Sequence, residues 1–307
     1  MLNYAIKRLV LALAVAVAVS AASFLLLRLS GDVALALAGE GARQADIDLI
    51  RQTHGLDRPL VVQYADWLLR ILGGDFGQSL YFKTSVAGLI SSKIGTTLWL
   101  GLFSIVFALA LAIPLGVVAA LHPNSWLDRL ALSLAVVGQA LPNFFFALLL
   151  VMLFSITLRW LPVSGSETWA HFVMPTLALG YYVTPPLMRL VRAGMIDVMG
   201  SDFIRTAHAK GQIPWRIVMN HALRNALVPV VALAAVQLGF LLGGSIVIET
   251  IFALDGLGYL AYQSITHKDF PVTQAVLMLL AVAYVVLTLL ADLVNAWIDP
   301  RLRTQER

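Results

Sequence analysis

The sequence contains no cysteine in 307 residues, which excludes disulfides and thiolate metal sites. Charge is also scarce. Asp, Glu, Lys and Arg make up 12% of the chain, about half the roughly 25% of a soluble domain. Apolar residues reach 60% and the mean hydropathy is +0.85, so the solvent of this chain is lipid. No Gly-x-x-x-x-Gly-Lys-[Ser/Thr] phosphate loop is present, so the chain is not expected to hydrolyse ATP or to hold a cofactor itself. There is no Gly-x-Ser-x-Gly elbow and no nucleophile–base constellation. The histidines, His54, His122, His171, His208, His221 and His267, are scattered and lack ligand spacing such as His-x-x-x-His, so no metal site is expected. The net charge of +4 would suggest nucleic acid in a soluble protein. In a membrane protein it reflects basic residues gathered on the cytoplasmic side, and no nucleic-acid partner is implied.

What is present is a series of long apolar runs. A membrane-crossing helix needs roughly 20 mostly apolar residues. Uncharged runs fall at Leu9 to Leu27, Thr97 to Leu121, Leu130 to Leu158, Phe172 to Met188, Ala226 to Ile248 and Val272 to Ala291. The fourth is the weakest, because Pro175, Pro185 and Pro186 interrupt it. The first follows Lys7 and Arg8 and contains Ala16-Val17-Ala18, as a secretory signal would. It continues through Phe24-Leu25-Leu26-Leu27, past the about 7–15 residues of a signal core, and reads as an uncleaved anchor. The runs are too long for the alternating strands of a barrel, and helices satisfy their own backbone in lipid. The expectation is an all-α membrane protein of six spans. Its parts are an N-terminus and first span at 1–30, an extracytoplasmic segment at 31–95, a permeation core at 96–298 and a tail at 299–307.

Lys and Arg set the orientation. With the N-terminus inside, Lys7, Arg8, Arg129, Arg189, Arg192, Arg205, Lys210, Arg216, Arg224, Arg301, Arg303 and Arg307 are cytoplasmic. The short outer loops keep only Arg159 and Lys268. Both termini are therefore expected in the cytoplasm. The long loop from Gly31 to Gly95 exceeds a simple connector. It predicts a helix over Gln44 to Thr53 closed by Gly55, then a helix whose Val61, Tyr64, Leu68 and Ile71 share one face, stopped by Gly73-Gly74. Such a cap either meets an extracellular partner or packs on the membrane and neighbouring spans.

The cytoplasmic segment 193–225 predicts a short capped helix. Ser201 or Asp202 can open it, and Gly211 can end it in the left-handed conformation. Phe203, Thr206, Ala207 and Lys210 fall on one face, and Pro214 allows a new start. Such a helix either docks a partner or lies flat on anionic lipid. The residues alone leave both readings open.

Asp202 to Gly211, followed by His221-Ala222-Leu223-Arg224-Asn225-Ala226-Leu227-Val228-Pro229, resembles the cytoplasmic loop of ABC importer permeases, and most closely that of the dipeptide/oligopeptide/nickel permease family. The similarity runs nearly end to end. It includes Tyr4, Arg8-Leu9, Arg28, Gly55-Leu56-Asp57-Arg58-Pro59-Leu60, Gly74-Asp75-Phe76-Gly77-Gln78-Ser79-Leu80 and Ile113-Pro114-Leu115-Gly116. It continues with Trp160-Leu161-Pro162, Pro175-Thr176-Leu177-Ala178, Gly243-Gly244, Glu249-Thr250-Ile251-Phe252, Gly256-Leu257-Gly258, Lys268-Asp269-Phe270-Pro271 and Asp299-Pro300-Arg301. The 31–95 segment looks like that of the first of the family's two paired permeases. Departures are His208 where this branch usually has Arg, Ser30 where a Pro usually stands, and Leu141 and Phe145 in the third span.

The resemblance implies a type I ABC importer permease in the inner membrane. It works with a second permease, two ATP-binding subunits that hold ATP and Mg, and an extracytoplasmic substrate-binding protein. The substrate would be a di- or oligopeptide, with nickel chelates, glutathione-like compounds and opines as alternatives. Asp202, Phe203, Ile204, Arg205, Thr206, Ala207, Lys210 and Gly211 would couple to the ATPases. Phe203 would fill an apolar groove, Arg205 and Lys210 would pair at its rim, and Gly211 would give an exit too tight for a Cβ.

Polar groups inside spans face protein or a water-filled path. Gln139, Pro142, Asn143 and Gln237 are candidates for the path, each with the alternative of bonding a neighbouring helix. Glu249 is a further candidate, with a hydrogen-bonded helix end as its alternative. Gly239 and Gly243 form a Gly-x-x-x-Gly suited to close packing, and Asp292 suits an ion pair. Other classes are a stand-alone secondary carrier and a membrane scaffold. A carrier should show mid-membrane charge and inverted repeats, and neither is visible in the clear spans.

Overall fold

The computed structural model describes residues 2–38, 41–53 and 55–298; His54 and the tail 299–307, with Asp299-Pro300-Arg301, lie outside them. The helices are α1 Leu2–Ser30, α2 Val33–Ala38, α3 Gln44–Thr53, α4 Leu60–Leu72, α5 Val86–Leu121, α6 Trp126–Ala140, α7 Asn143–Leu150, α8 Ala170–Met199, α9 Asp202–Ala209, α10 Pro214–Arg216, α11 Arg224–Ile251, α12 Leu257–Thr266 and α13 Phe270–Ile298. Wider π-helical turns extend α7 over Val151–Thr157 and lead into α11 over Ile217–Leu223. No strand forms among the described residues. One bridge, Gln78 to Ser85, closes the loop ahead of α5.

Four segments are long and apolar enough to cross a membrane: Ile6–Leu26, Val86–Leu121, Pro214–Ile251 and Phe270–Val294. Trp126–Ala140 with Asn143–Thr157 makes a fifth, bent by 100°. The fourth run expected from sequence lies in α8, 30 residues long, which falls short of that measure because His171, the three prolines and Tyr181-Tyr182 dilute its apolar residues. It stays continuous through Pro175, Pro185 and Pro186. The Thr184 hydroxyl donates to the Gly180 carbonyl at 2.8 Å in the turn before the proline pair, the back-bond a hydroxyl makes to the preceding turn of its own helix. Its most extensive packing is against α5. Glycines permit the close approach. A Cβ on Gly116 would meet the Val191 side chain at 2.7 Å and the Met188 carbonyl at 2.8 Å. A Cβ on Gly180 would meet the Ser104 carbonyl at 2.7 Å.

The Gly239 and Gly243 pair is half as expected. Gly239 faces Tyr284 of α13, with 3.0 Å to its would-be Cβ, whereas nothing lies within 4 Å of Gly243. Asp292 does form its ion pair, to Arg8 at 2.9 Å, tying α13 to α1.

The third span breaks rather than kinks. Leu141 and Pro142 are extended, with ψ of 125° and 137°, because proline disfavours the helical conformation of the residue before it. At the other end of α6, Ser125 caps the helix by accepting from the Asp128 N–H at 3.3 Å. Asp128 itself, 2% exposed, takes both Nε and Nη2 of Arg192 at 2.7 Å and the Asn124 N–H at 2.9 Å. This bidentate pair clamps α6 to α8.

In the 31–95 segment α3 spans Gln44–Thr53 as expected, and Gly55 follows at φ +62°. The expected face of α4 holds except at its start: Tyr64, Leu68 and Ile71 are half-buried with Gln63 and Trp67 beside them, whereas Val61 is 78% exposed. An aromatic contact fixes this face: Phe24 of α1 sits 5.6 Å from Tyr64 and 5.7 Å from Trp67, and the Tyr64 hydroxyl meets Ser20 Oγ at 2.7 Å. Aromatic pairs add about 0.5–1.5 kcal/mol beyond area. Helix α5 begins at Val86, nine residues before Gly95, so the non-spanning segment is shorter than expected.

Gly116→Val should lower the melting temperature of the purified chain, at an overpacking cost of about 1–3 kcal/mol. Gly243→Ala should leave it unchanged. A thermal ramp in detergent monitored by circular dichroism measures both.

Candidate functional site

Helix α9 is built to stand on the surface with two feet in the body. Ile204 is 1% and Ala207 7% exposed, and they join the core with Ile217 and Val218. Asp202, Phe203, Arg205, Thr206 and Lys210 are exposed, with Phe203 at 47%. The face expected to contain Phe203, Thr206, Ala207 and Lys210 therefore divides: Ala207 points inward, because it falls three residues after Ile204 on the buried side. Ser201 opens the helix by backbone geometry alone. Its hydroxyl donates to the Val198 carbonyl. Asp202 in the first turn suits the helix dipole, and its contact with Arg205 at 3.3 Å is a solvated pair of little stabilising value.

Gly211 ends α9 at φ +72°, with nothing within 4 Å of its would-be Cβ. Its requirement is conformational, not the steric one expected from sequence. The chain then folds back through Gly211 N–H to His208 carbonyl at 2.9 Å and Gln212 N–H to Ala207 carbonyl at 3.3 Å. The Gln212 side chain meets His221 Nε2 at 2.8 Å, fastening the exit of α9 to the π-helical start of the fifth span.

The second group surrounds the break. Gln139, on the last turn of α6, accepts a hydrogen bond from Arg189 at 2.9 Å. Pro142 and Asn143 make the break and the first turn of α7. Gln237 is half-buried on α11, three residues from Phe240, whose ring stacks on Tyr182 of α8 at 6.0 Å. Tyr182, Pro186 and Arg189 recur at i, i+4 and i+7 on α8, one helical face. Arg189 was expected outside the membrane. It lies ten residues before the end of α8, about 15 Å along the axis, and 13 residues into α6 it finds Gln139. The run Met188 to Arg192 carries charge at i and i+3, and that spacing on an otherwise apolar helix was the signal available in the sequence.

Glu249 belongs elsewhere. It is 0% exposed and 12 residues from Gln237, about 18 Å along α11. Its Oε1 accepts from Thr97 Oγ1 at 2.8 Å and Ser245 Oγ at 2.9 Å, and its Oε2 accepts from the Tyr259 N–H at 3.0 Å. Thr97 Oγ1 in turn accepts from the Leu257 N–H at 2.8 Å. A Cβ on Gly256 or Gly258 would fall 2.4 or 2.9 Å from Oε2. The carboxylate is the joint between α5, α11 and α12, the hydrogen-bonded helix end that the sequence offered as the alternative to a path role. Asp269, also 0% exposed, does the same for the loop before α5. It accepts from Ser79 Oγ at 2.5 Å and from the Leu80 and Tyr81 N–H groups at 3.2 Å.

Comparison with known proteins follows this geometry. Residues 112–304 match the family described as binding-protein-dependent transport system inner membrane component, and residues 1–101 match its N-terminal membrane component. The glutathione transport system permease protein GsiC of Escherichia coli K12 is 41% identical over 304 residues, 99% of each chain. That of Salmonella typhimurium LT2 is 40% identical over the same span. Among solved structures, an inward-facing MetNI methionine ABC transporter aligns at TM-score 0.57 and 21% identity, covering 69% of this chain and 96% of that one, which supports the fold. The chain belongs to the binding-protein-dependent transport system inner membrane component family and is a permease subunit of an ABC importer.

Proposed function

We propose that this chain is the first of two paired permeases in an ATP-driven importer of di- or oligopeptides and peptide-like acids. The observation that carries the coupling half of this reading is α9, fixed inward by Ile204 and Ala207 and offering Phe203, Arg205 and Lys210 outward. Two ATP-binding partners, holding ATP and Mg, seat on that surface from the cytoplasm. The Phe203 ring enters an apolar groove while Arg205 and Lys210 meet carboxylates at its rim. A closed ATPase pair biases the permease only through contacts that differ between states, and α9 transmits that difference to the fifth span through Gln212 and His221. A binding protein delivers substrate from the opposite side. Both termini and α9 share the cytoplasmic face, as the basic loops argue.

The substrate reading is supported by relatives named as glutathione permeases, a compound with free carboxylates and peptide bonds. It is also supported by the Arg189 and Gln139 pair beside the break. A guanidinium and an amide together form a donor set suited to a carboxylate, so acidic peptides and glutathione-like compounds fit better than cationic cargo. Opines share the carboxylate, and nickel chelates share it when the chelator is a polycarboxylate.

Three outcomes test this. Gly211→Glu should cut ATP-driven uptake in proteoliposomes by about tenfold, since a side chain at positive φ forfeits about 1–2 kcal/mol, while the complex keeps its ATPase activity. Wild-type uptake would contradict the coupling role. Arg189→Gln should raise the half-saturating concentration of glutathione by about tenfold or more, the loss of one charge-assisted hydrogen bond, and leave that of a carboxyl-amidated peptide unchanged. Because the chain has no cysteine, His208→Cys and Gln78→Cys report topology directly. An impermeant maleimide added outside intact cells should label the second and not the first, and the reverse would overturn the orientation.

A further inference from the structure

A cavity of 380 Å³ lies where α1, α4 and α13 meet, at the end of the bundle opposite α9. Its wall combines Phe24 and Arg28 of α1, Gln63, Trp67 and Arg70 of α4, and Gln274 of α13. Two guanidinium groups face one space, and among the described residues neither forms a direct ion pair, although Asp66 and Asp75 line the same wall and Asp32 attracts Arg28 from farther off. Arg28 rests over the Phe24 ring at 5.0 Å, and Arg70 Nε reaches the Asp66 carbonyl at 3.4 Å. Of these three carboxylates, Asp32 is paired with Arg51 at 2.7 Å and Asp66 with Arg58 at 3.4 Å, while Asp75 accepts the Gly77 N–H at 2.9 Å. Arg28 and Arg70 therefore outnumber Asp75, and the remaining positive charge at a low-dielectric boundary calls for a counter-anion.

Two buried amide atoms specify more. Gln63 is 8% exposed and spends its Nε2 on the Leu56 and Arg58 carbonyls at 3.0 and 2.7 Å, leaving Oε1 without a donor. Gln274 leaves Nε2 without an acceptor. Each is costly unless a ligand meets it. The ligand must therefore bring an anion for Arg28, Arg70 and Gln274 Nε2, and a hydroxyl or similar donor for Gln63 Oε1. The rest of the wall is largely apolar, with Phe24, Trp67, Phe76 and Phe270 among its side chains. The cavity adjoins the least buried helix of the bundle, whose apolar window is only 11% buried, and the flanking Leu26 and Leu29 are 66% and 82% exposed. That surface suits acyl chains, and Trp favours the headgroup level.

We propose that this cavity binds one anionic phospholipid through a phosphoglycerol headgroup. The phosphate sits between Arg28 and Arg70, a headgroup hydroxyl donates to Gln63 Oε1, and the acyl chains run down α1. The lipid thereby joins the α4 cap to the first and last spans. The inference rests on the chain being embedded in a membrane and is independent of what the importer carries.

The full chain, purified in mild detergent and stripped of native lipid, is titrated with phosphatidylglycerol, phosphatidylcholine or inorganic phosphate and observed by native mass spectrometry. Phosphatidylglycerol should bind as a single adduct with at least about tenfold preference over phosphatidylcholine, the effect of one charge-assisted contact. Arg28→Gln with Arg70→Gln should abolish the preference, whereas Arg43→Gln, a solvated control, should keep it. Equal binding of the two lipids by the wild type overturns the proposal without recourse to any variant. So does retention by the double variant, or displacement of the lipid by inorganic phosphate at equal concentration, which would mark a free-anion site. If the double variant misfolds, Gln274→Leu removes one donor and should lower the preference alone.

Discussion

Two carboxylates with no access to solvent govern how this bundle is put together. In lipid there is no water to satisfy a buried acid, so every donor must be built in beforehand. Glu249 collects Thr97, Ser245 and the Tyr259 amide from three different elements. Asp269 gathers Ser79 and two loop amides from a segment nearly two hundred residues away in sequence. Each closes a reentrant turn onto a span that begins elsewhere. Gly256 and Gly258 are small because the Glu249 carboxylate occupies the space a side chain would need.

The same logic of fixed joints and free faces continues to the functional end. Asp128 and Arg192 clamp α6 to α8, and α8 lies along α5 where Gly116 and Gly180 permit contact. Ile204 and Ala207 root α9 in that body, and Gln212 bonds it to the fifth span. Any force on α9 thus meets a close-packed core, which transmits strain rather than absorbing it. The exposed groups are of another kind: Phe203 outside, and Arg189 and Gln139 beside the break.

Much of this was legible in residue order. The apolar runs gave the spans, and α3 ended where Gly55 said it would. The motif Asp202 to Gly211 marked α9, and its family resemblance matched the comparisons. Rotations were not legible. On α4 the periodicity found Tyr64, Leu68 and Ile71 but not that Val61 stays outside while Trp67 joins the Phe24 contact. Ala207 shared a nominal face with Phe203 until Ile204 fixed which side was inward. Glu249 stood open between a path residue and a hydrogen-bonded helix end because Thr97, one of its donors, is far off in sequence. Arg189 read as a loop cation because α8 runs well past Met188, a continuation that its three prolines concealed.

The 100° turn at Leu141 and Pro142 has a bearing on biogenesis. A helix end leaves its last carbonyls and first amides without intrahelical partners, and this one lies partway through a span. Exposed to hydrocarbon, each such peptide group is penalised by several kcal/mol. A newly inserted copy, alone among acyl chains, is therefore at its least stable along this seam. Contact with another protein surface or with water relieves it. The break thus makes lipid the least favourable neighbour for this stretch of the chain.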